Sequence, residues 1–245
     1  MSIIEDFLPI TRCGHVVRAS AQRIAAVLAE SLSAGKSRGE VRKIAAKTLS
    51  GAFDSFTTVT SNTTVGGYLV LSTTKPGWTS VIVDEEQAPL EWRLGVGLSR
   101  ELGVTAIYYL FQPHTFRKEK GKEKGEYGAY QLVMADKGEL VRSVGVRYEA
   151  GWRFEAEGKV QKFERRSAYR ATRTRERFGP TLLKEYLAAM ELRPFEDGFF
   201  LPNGRVQGYR VYAPWYDKSK KISLNSLRLR NGPFRGFMDD SSENG

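Results

Sequence analysis

The side chains with the clearest potential for chemistry are acidic. Asp136 is followed by Glu155-Ala156-Glu157-Gly158-Lys159, an acid and then an E-x-K triplet. Hydrolysis of a phosphodiester by a bound divalent ion needs such a set: carboxylates hold the ion, the ion activates water, and a lysine stabilises charge at the phosphate. Asp136, Glu155, Glu157 and Lys159 are therefore the catalytic candidates of a metal-dependent nuclease. The same letters have a plainer source. Asp136-Lys137-Gly138-Glu139 and Glu157-Gly158-Lys159 are turn compositions, and turn chemistry accounts for both without catalysis.

Other chemistries find less support. Cys13-Gly14-His15 supplies two metal ligands where zinc needs three or four, and His114 is the only other histidine. Ser33-Ala34-Gly35-Lys36-Ser37 resembles the end of a phosphate-binding loop. The first glycine of that motif falls on Glu30, however, and an expected helix rather than a strand feeds it. Gly95-Val96-Gly97-Leu98-Ser99-Arg100 begins as a dinucleotide fingerprint but closes on arginine in mid-helix. A GxSxG elbow does not occur. The expectation is a protein without metal or cofactor that is not an enzyme.

Charge points elsewhere. The net +10 is concentrated in residues 159–245, which hold +8 of it. Lys159, Lys162, Arg165, Arg166, Arg170, Arg173, Arg175 and Arg177 face only Glu164 and Glu176, and a second basic set runs from Arg205 to Arg235. Such a footprint suits a polyanion or an acidic protein. Lysine and arginine there would neutralise phosphates, while Tyr169, Phe178, Tyr209, Tyr212, Trp215 and Tyr216 would stack on exposed bases. Nucleic-acid binding by the basic third is thus one reading, although no zinc finger, RNP-like strand, GXXG loop or helix-turn-helix pattern accompanies it. The single cysteine fits a reducing compartment. The start of the chain lacks the basic and apolar regions of a signal peptide, and no apolar run is long enough for a membrane span. A cytoplasmic protein is expected.

The elements that must position these residues follow from periodicity. Val17, Ala21, Ile24, Val27, Leu28 and Leu32 predict a helix. Ser37 and Glu40 make a capping box for a second one burying Val41, Ile44, Ala45, Leu49 and Phe53. Residues 1–55 are therefore expected as a helical hairpin packed on a main domain spanning 56–235, with 236–245 a frayed tail. Strands are predicted at Phe56–Ser61, Tyr68–Thr73, Trp78–Val83 and Val104–Phe111. A helix opens at Pro89 and ends at Gly103. Arg117–Glu126 is expected as a solvated loop. Tyr127–Ala135 and Leu140–Tyr148 form the clearest hairpin. A helix near Phe178–Met190 and a late strand near Val206–Tyr212 complete the chain. The fold class expected is α+β, a largely antiparallel sheet with helices packed on one face.

Part of the chain resembles a known group. Gly77-Trp78-Thr79-Ser80-Val81, Leu98-Ser99-Arg100-Glu101-Leu102-Gly103, Tyr127-Gly128-Ala129-Tyr130-Gln131-Leu132 and Gly138-Glu139-Leu140-Val141-Arg142-Ser143 are similar to a scattered set of bacterial immunity and accessory proteins. The resemblance spans roughly residues 75–192. It implies a cytoplasmic protein that neutralises a type VI or contact-dependent secreted toxin by covering its active site. Trp152, Arg165, Arg166, Tyr169, Arg170 and Arg173 are then the partner-binding candidates, because arginine and aromatic side chains anchor such surfaces. One feature departs from the group. Immunity proteins against nucleases are often acidic, whereas a +8 segment suits an acidic toxin face, or a toxin that does not act on nucleic acid.

Overall fold

The computed structural model describes residues 13–33, 37–54, 67–83, 92–119 and 122–214. Runs rich in β-branched and aromatic residues become strands, and the 3.6-residue patterns between them become helices. In chain order these are β1 (Cys13–Val17), α1 (Ala21–Ser31), β2 (Glu40–Ala46), α2 (Leu49–Asp54), β3 (Gly67–Ser72), β4 (Thr79–Val83), α3 (Trp92–Leu102) and β5 (Thr105–Gln112). There follow β6 (Arg117–Glu119), β7 (Lys122–Lys124), β8 (Ala129–Asp136), β9 (Glu139–Tyr148), β10 (Trp152–Gly158), α4 (Pro180–Ala189) and β11 (Val206–Tyr212). Among the described residues nine strands make one sheet in the order β10-β9-β8-β5-β1-β4-β3-β11-β2, and every neighbouring pair is antiparallel. The expected α+β class with an antiparallel sheet is what the chain forms.

Strand alternation sends side chains to two opposite layers. Tyr68, Val70 and Val81 pack with Ile24 and Leu28 of α1 and Leu98 of α3. Leu69, Leu71, Ile82, Val144 and Val146 pack on the other side with Phe53 of α2 and Leu183 and Leu187 of α4. Helices therefore cover both faces, not one. A nine-stranded sheet with both sides apolar demands this, since each fully buried Leu or Ile contributes about 1.5–3 kcal/mol only when water is excluded.

The helical hairpin expected at the start is a correction. The described chain opens with β1, the middle strand of the sheet, and Glu40–Ala46 is the edge strand β2 rather than a helix. Val41, Ile44 and Ala45 fit a helical spacing, whereas the strand paired with β11 turns Ile44 and Ala46 inward and leaves Val41 and Ala45 exposed. The amide of Gly39 donates to the Ala29 carbonyl at 3.1 Å, tying the chain to the end of α1 just before β2. Ser37 therefore precedes a strand, and α2 begins only at Leu49. The mixed-sign run after Phe116 is also more ordered than a loop: β6 and β7 pair as a two-stranded ribbon. The expected strand at 56–61, the entry to the helix at Pro89 and the tail at 236–245 lie outside the described residues.

The hairpin of β8 and β9 forms as expected, with Lys137 at φ 50° and Gly138 at φ 88°. Two left-handed residues in a two-residue loop match the strand twist. This turn is anchored to α3, where the Ser99 hydroxyl accepts the Gly138 amide at 3.0 Å and donates to the Val104 carbonyl at 2.5 Å. Beneath the same helix His15 is 1% exposed, and Gly95 gives it room: a Cβ on Gly95 would lie 2.9 Å from His15 Nδ1.

Candidate partner-binding surface

The basic segment follows β10 and is held by a buried charge pair. Arg142 projects from β9, and its guanidinium meets the Glu164 carboxylate through two bonds, Nε to Oε1 at 2.9 Å and Nη2 to Oε2 at 2.7 Å. The two side chains are 3% and 0% exposed. Glu164 also accepts the Gln161 amide at 2.7 Å and the Tyr169 hydroxyl at 2.7 Å. Arg142 Nη1 donates to the carbonyls of Glu157 and Gly158 at 3.1 and 3.2 Å. The pair thus joins β9, the end of β10 and the loop that follows. Burial alone would raise the Glu164 pKa, but Arg142, the Gln161 amide and the Tyr169 hydroxyl outweigh it and hold the carboxyl below its ordinary range. Desolvation, then Tyr186 and Glu164, push the Tyr169 hydroxyl well above the usual tyrosine value. The loop is closed further along by the Arg165 amide, which donates to the Tyr186 hydroxyl of α4 at 2.8 Å.

Above this network the cations face solvent. Lys159, Lys162, Arg165, Arg166, Arg170, Arg173 and Arg175 are exposed. Arg165 pairs with Glu185 at 3.3 Å and Arg173 with Glu176 at 3.6 Å, both exposed pairs of little energetic weight. Tyr169 differs from the other partner-binding candidates. It is half-buried, with its ring against Phe154 at 5.2 Å and its hydroxyl engaged by Glu164, so it supports the loop from below.

Trp152, the remaining candidate, opens β10 and belongs to a ring cluster that includes His114, Phe116, Tyr127 and Tyr148. His114 Nδ1 accepts the Gly128 amide at 3.1 Å. Burial, followed by the nearby Arg175 charge, lowers the His114 pKa. Gly128 is needed here because a Cβ would sit 2.6 Å from Trp152 Cη2 and 2.7 Å from His114 Cβ. Sequence reasoning picked out Trp152 alone. The missed signal was the placement of Phe116, Tyr127 and Tyr148 next to chain reversals, which brings them to one end of the sheet.

The acidic candidates are not brought together. Asp136 ends β8 and accepts the Thr105 hydroxyl at 2.7 Å. Asp136 lies opposite Glu139 on β9, whereas Glu157 lies opposite Ser143 and Glu155 opposite Gly145, on the far side of that strand. Four to six residues along β9 separate these positions by roughly 13–20 Å. Glu155 pairs instead with Arg147 at 2.9 Å, and Glu157 and Lys159 are exposed. The three carboxylates do not converge on a site that could hold one ion. Among the described residues no group of three or more His, Cys, Asp or Glu is placed to bind a metal, and no helix is long and apolar enough to cross a membrane. No protein-family model, curated protein or solved structure matches the chain.

Proposed function

We propose that this chain acts by binding: it neutralises a protein partner, in the manner of the cytoplasmic bacterial immunity proteins its central motifs resemble. The partner is a secreted toxin of the type VI or contact-dependent kind. The observation that carries this reading is the locked basic loop, whose exposed Arg165, Arg166, Arg170 and Arg173 stand on a scaffold fixed by Arg142, Glu164 and Tyr169. A surface ordered before encounter loses less entropy on association, and its charge accelerates docking on an acidic face.

Co-expression with each adjacent toxin-like open reading frame tests the proposal. Wild-type protein is expected to restore growth against one of them. The Arg166→Glu/Arg170→Glu variant is expected to bind that toxin more than about tenfold more weakly with its melting temperature unchanged, because exposed charges govern association rather than folding. Absence of rescue from every adjacent toxin overturns the reading. The same loop would serve a nucleic acid if binding were set by phosphates. A labelled single strand bound tighter than about 10 µM, with affinity falling steeply as salt rises, would reassign the function.

A further inference from the structure

Most large apolar side chains of this fold are buried beneath helices or loops, but one group is gathered at the surface. Phe116, Tyr127 and Tyr148 stack in series, with centroids 4.6 and 5.4 Å apart and planes within 28° and 15°. His114 fits against Tyr148 at 4.7 Å and Trp152 at 5.4 Å, and Tyr148 meets Trp152 edge-on at 5.7 Å. Tyr127 is 46% exposed, one of three large hydrophobic side chains exposed among the described residues. The cluster is preformed: Gly128 donates to His114 from one side and accepts the Tyr148 amide at 2.9 Å from the other. Apolar area ordered and left in water is unfavourable for an isolated chain and marks an interaction site.

We infer that this ring cluster is the apolar centre of the interface with the protein partner, and that the partner sets apolar side chains against the rings and a carboxylate against Arg175 beside them. The inference rests on the binding reading above and adds where the partner sits and what chemistry it carries.

Two observations favour a protein over a nucleic acid as the occupant. A base needs an open ring face. Here Tyr127 is already stacked with both Phe116 and Tyr148. The cluster offers ring edges and tyrosine hydroxyls, which suit side chains and carbonyls. The border is also of mixed sign. Glu149 bridges Arg147 at 2.8 Å and Arg153 at 3.7 Å, Glu155 pairs with Arg147 at 2.9 Å, and Glu126 lies exposed beside Tyr127. The carboxylates on that side neutralise its arginines and leave a phosphate no net positive charge to bind. Exposed Arg175 supplies a positive edge, near enough for its charge to act on His114. An apolar centre with a charged rim is the usual plan of a protein interface.

The test uses the toxin whose growth arrest the wild-type chain relieves, purified in inactivated form, with binding followed by calorimetry and stopped flow. Tyr127→Ala is expected to weaken binding about tenfold or more, and Phe116→Ala/Tyr127→Ala about a hundredfold, as for central aromatic anchors. Arg175→Glu is expected to slow association about tenfold and to flatten its salt dependence. Val41→Ala, on the edge strand β2 at the opposite end of the sheet, is the control and stays within about threefold. Rescue by wild type together with unchanged affinity of both aromatic variants leaves the binding reading standing and overturns this site. Rescue by no adjacent toxin removes both. A labelled single strand that binds tighter than about 10 µM and is released by Tyr127→Ala makes the rings a nucleic-acid site and overturns the inference.

Discussion

Replacing Arg142 with methionine is expected to cost about 3–5 kcal/mol of folding stability, because it leaves a buried carboxylate without its cation. Glu164 is 0% exposed and makes both of its charged bonds to Arg142. The substitution also removes the donor to the carbonyls of Glu157 and Gly158. Urea unfolding measures the loss. The second arm is Arg142→Met/Glu164→Met. Removing both charges eliminates the stranded ion, and the double variant is expected to recover about 1–3 kcal/mol relative to Arg142→Met. Recovery stays partial, since the Gln161 amide and the Tyr169 hydroxyl lose their acceptor. Equal stability of the wild type and Arg142→Met would show that the pair does not hold the loop.

The consequence for function follows from the same geometry. The loop has little regular structure of its own, only two single-turn 3-10 helices at Ala168–Arg170 and Thr174–Glu176. What fixes it is a few buried contacts: Phe163 against Tyr186, Phe178 in the core, and the Arg142–Glu164 pair. Loss of the pair releases the backbone that carries Arg165, Arg166 and Arg170. Affinity for a partner should then fall even though no surface cation is altered.

How far this organisation was legible in the sequence depends on the kind of signal each part required. The β8–β9 hairpin, β3, β4, β5, α4 and β11 were legible because local pattern and turn chemistry agree with the tertiary environment. β2 was not. Val41, Ile44 and Ala45 fit the helical period, the inward residues of the strand are Ile44 and Ala46 instead, and the deciding partner β11 lies far along the chain. β10 was obscured by its own charges. Arg153, Glu155 and Glu157 alternate with Trp152, Phe154 and Ala156 on an edge strand, a pattern that protects an exposed edge and that also resembles a nuclease triplet. For the site, the basic loop was visible as composition. Its buried counter-charge was not, because a lone Glu164 among arginines has no sequence mark that separates a core carboxylate from a solvated one. The ring cluster required knowledge that two turns and a hairpin end meet in space.

Acidification from about pH 7 to about pH 5 is expected to remove about 2 kcal/mol of stability through His15. The side chain is 1% exposed, its ring lies 5.1 Å from that of Tyr108, and Nδ1 has no hydrogen-bond partner among the described residues. Burial lowers its pKa from 6.5 to about 3. The folded state therefore keeps the ring neutral while the unfolded chain takes up a proton once the pH drops below 6.5. The stabilisation is complete above that value and declines by about 1.4 kcal/mol per pH unit until the folded form is protonated as well. Glu164 acts in the same direction but over a lower window. Its depressed carboxyl stabilises the fold above the unfolded value of about 4.3, and that contribution is lost as the pH falls further. The interval between about 6.5 and 4.5 thus separates the histidines from Glu164. His15→Leu removes both the titration and the unpaired nitrogen. It is expected to flatten the stability profile across that interval, so that its advantage over wild type at about pH 5 exceeds its advantage at about pH 7 by about 2 kcal/mol. Urea midpoints at the two pH values measure the difference. A slope that survives His15→Leu unchanged would assign the titration to His114, the one remaining histidine, whose pKa is also lowered.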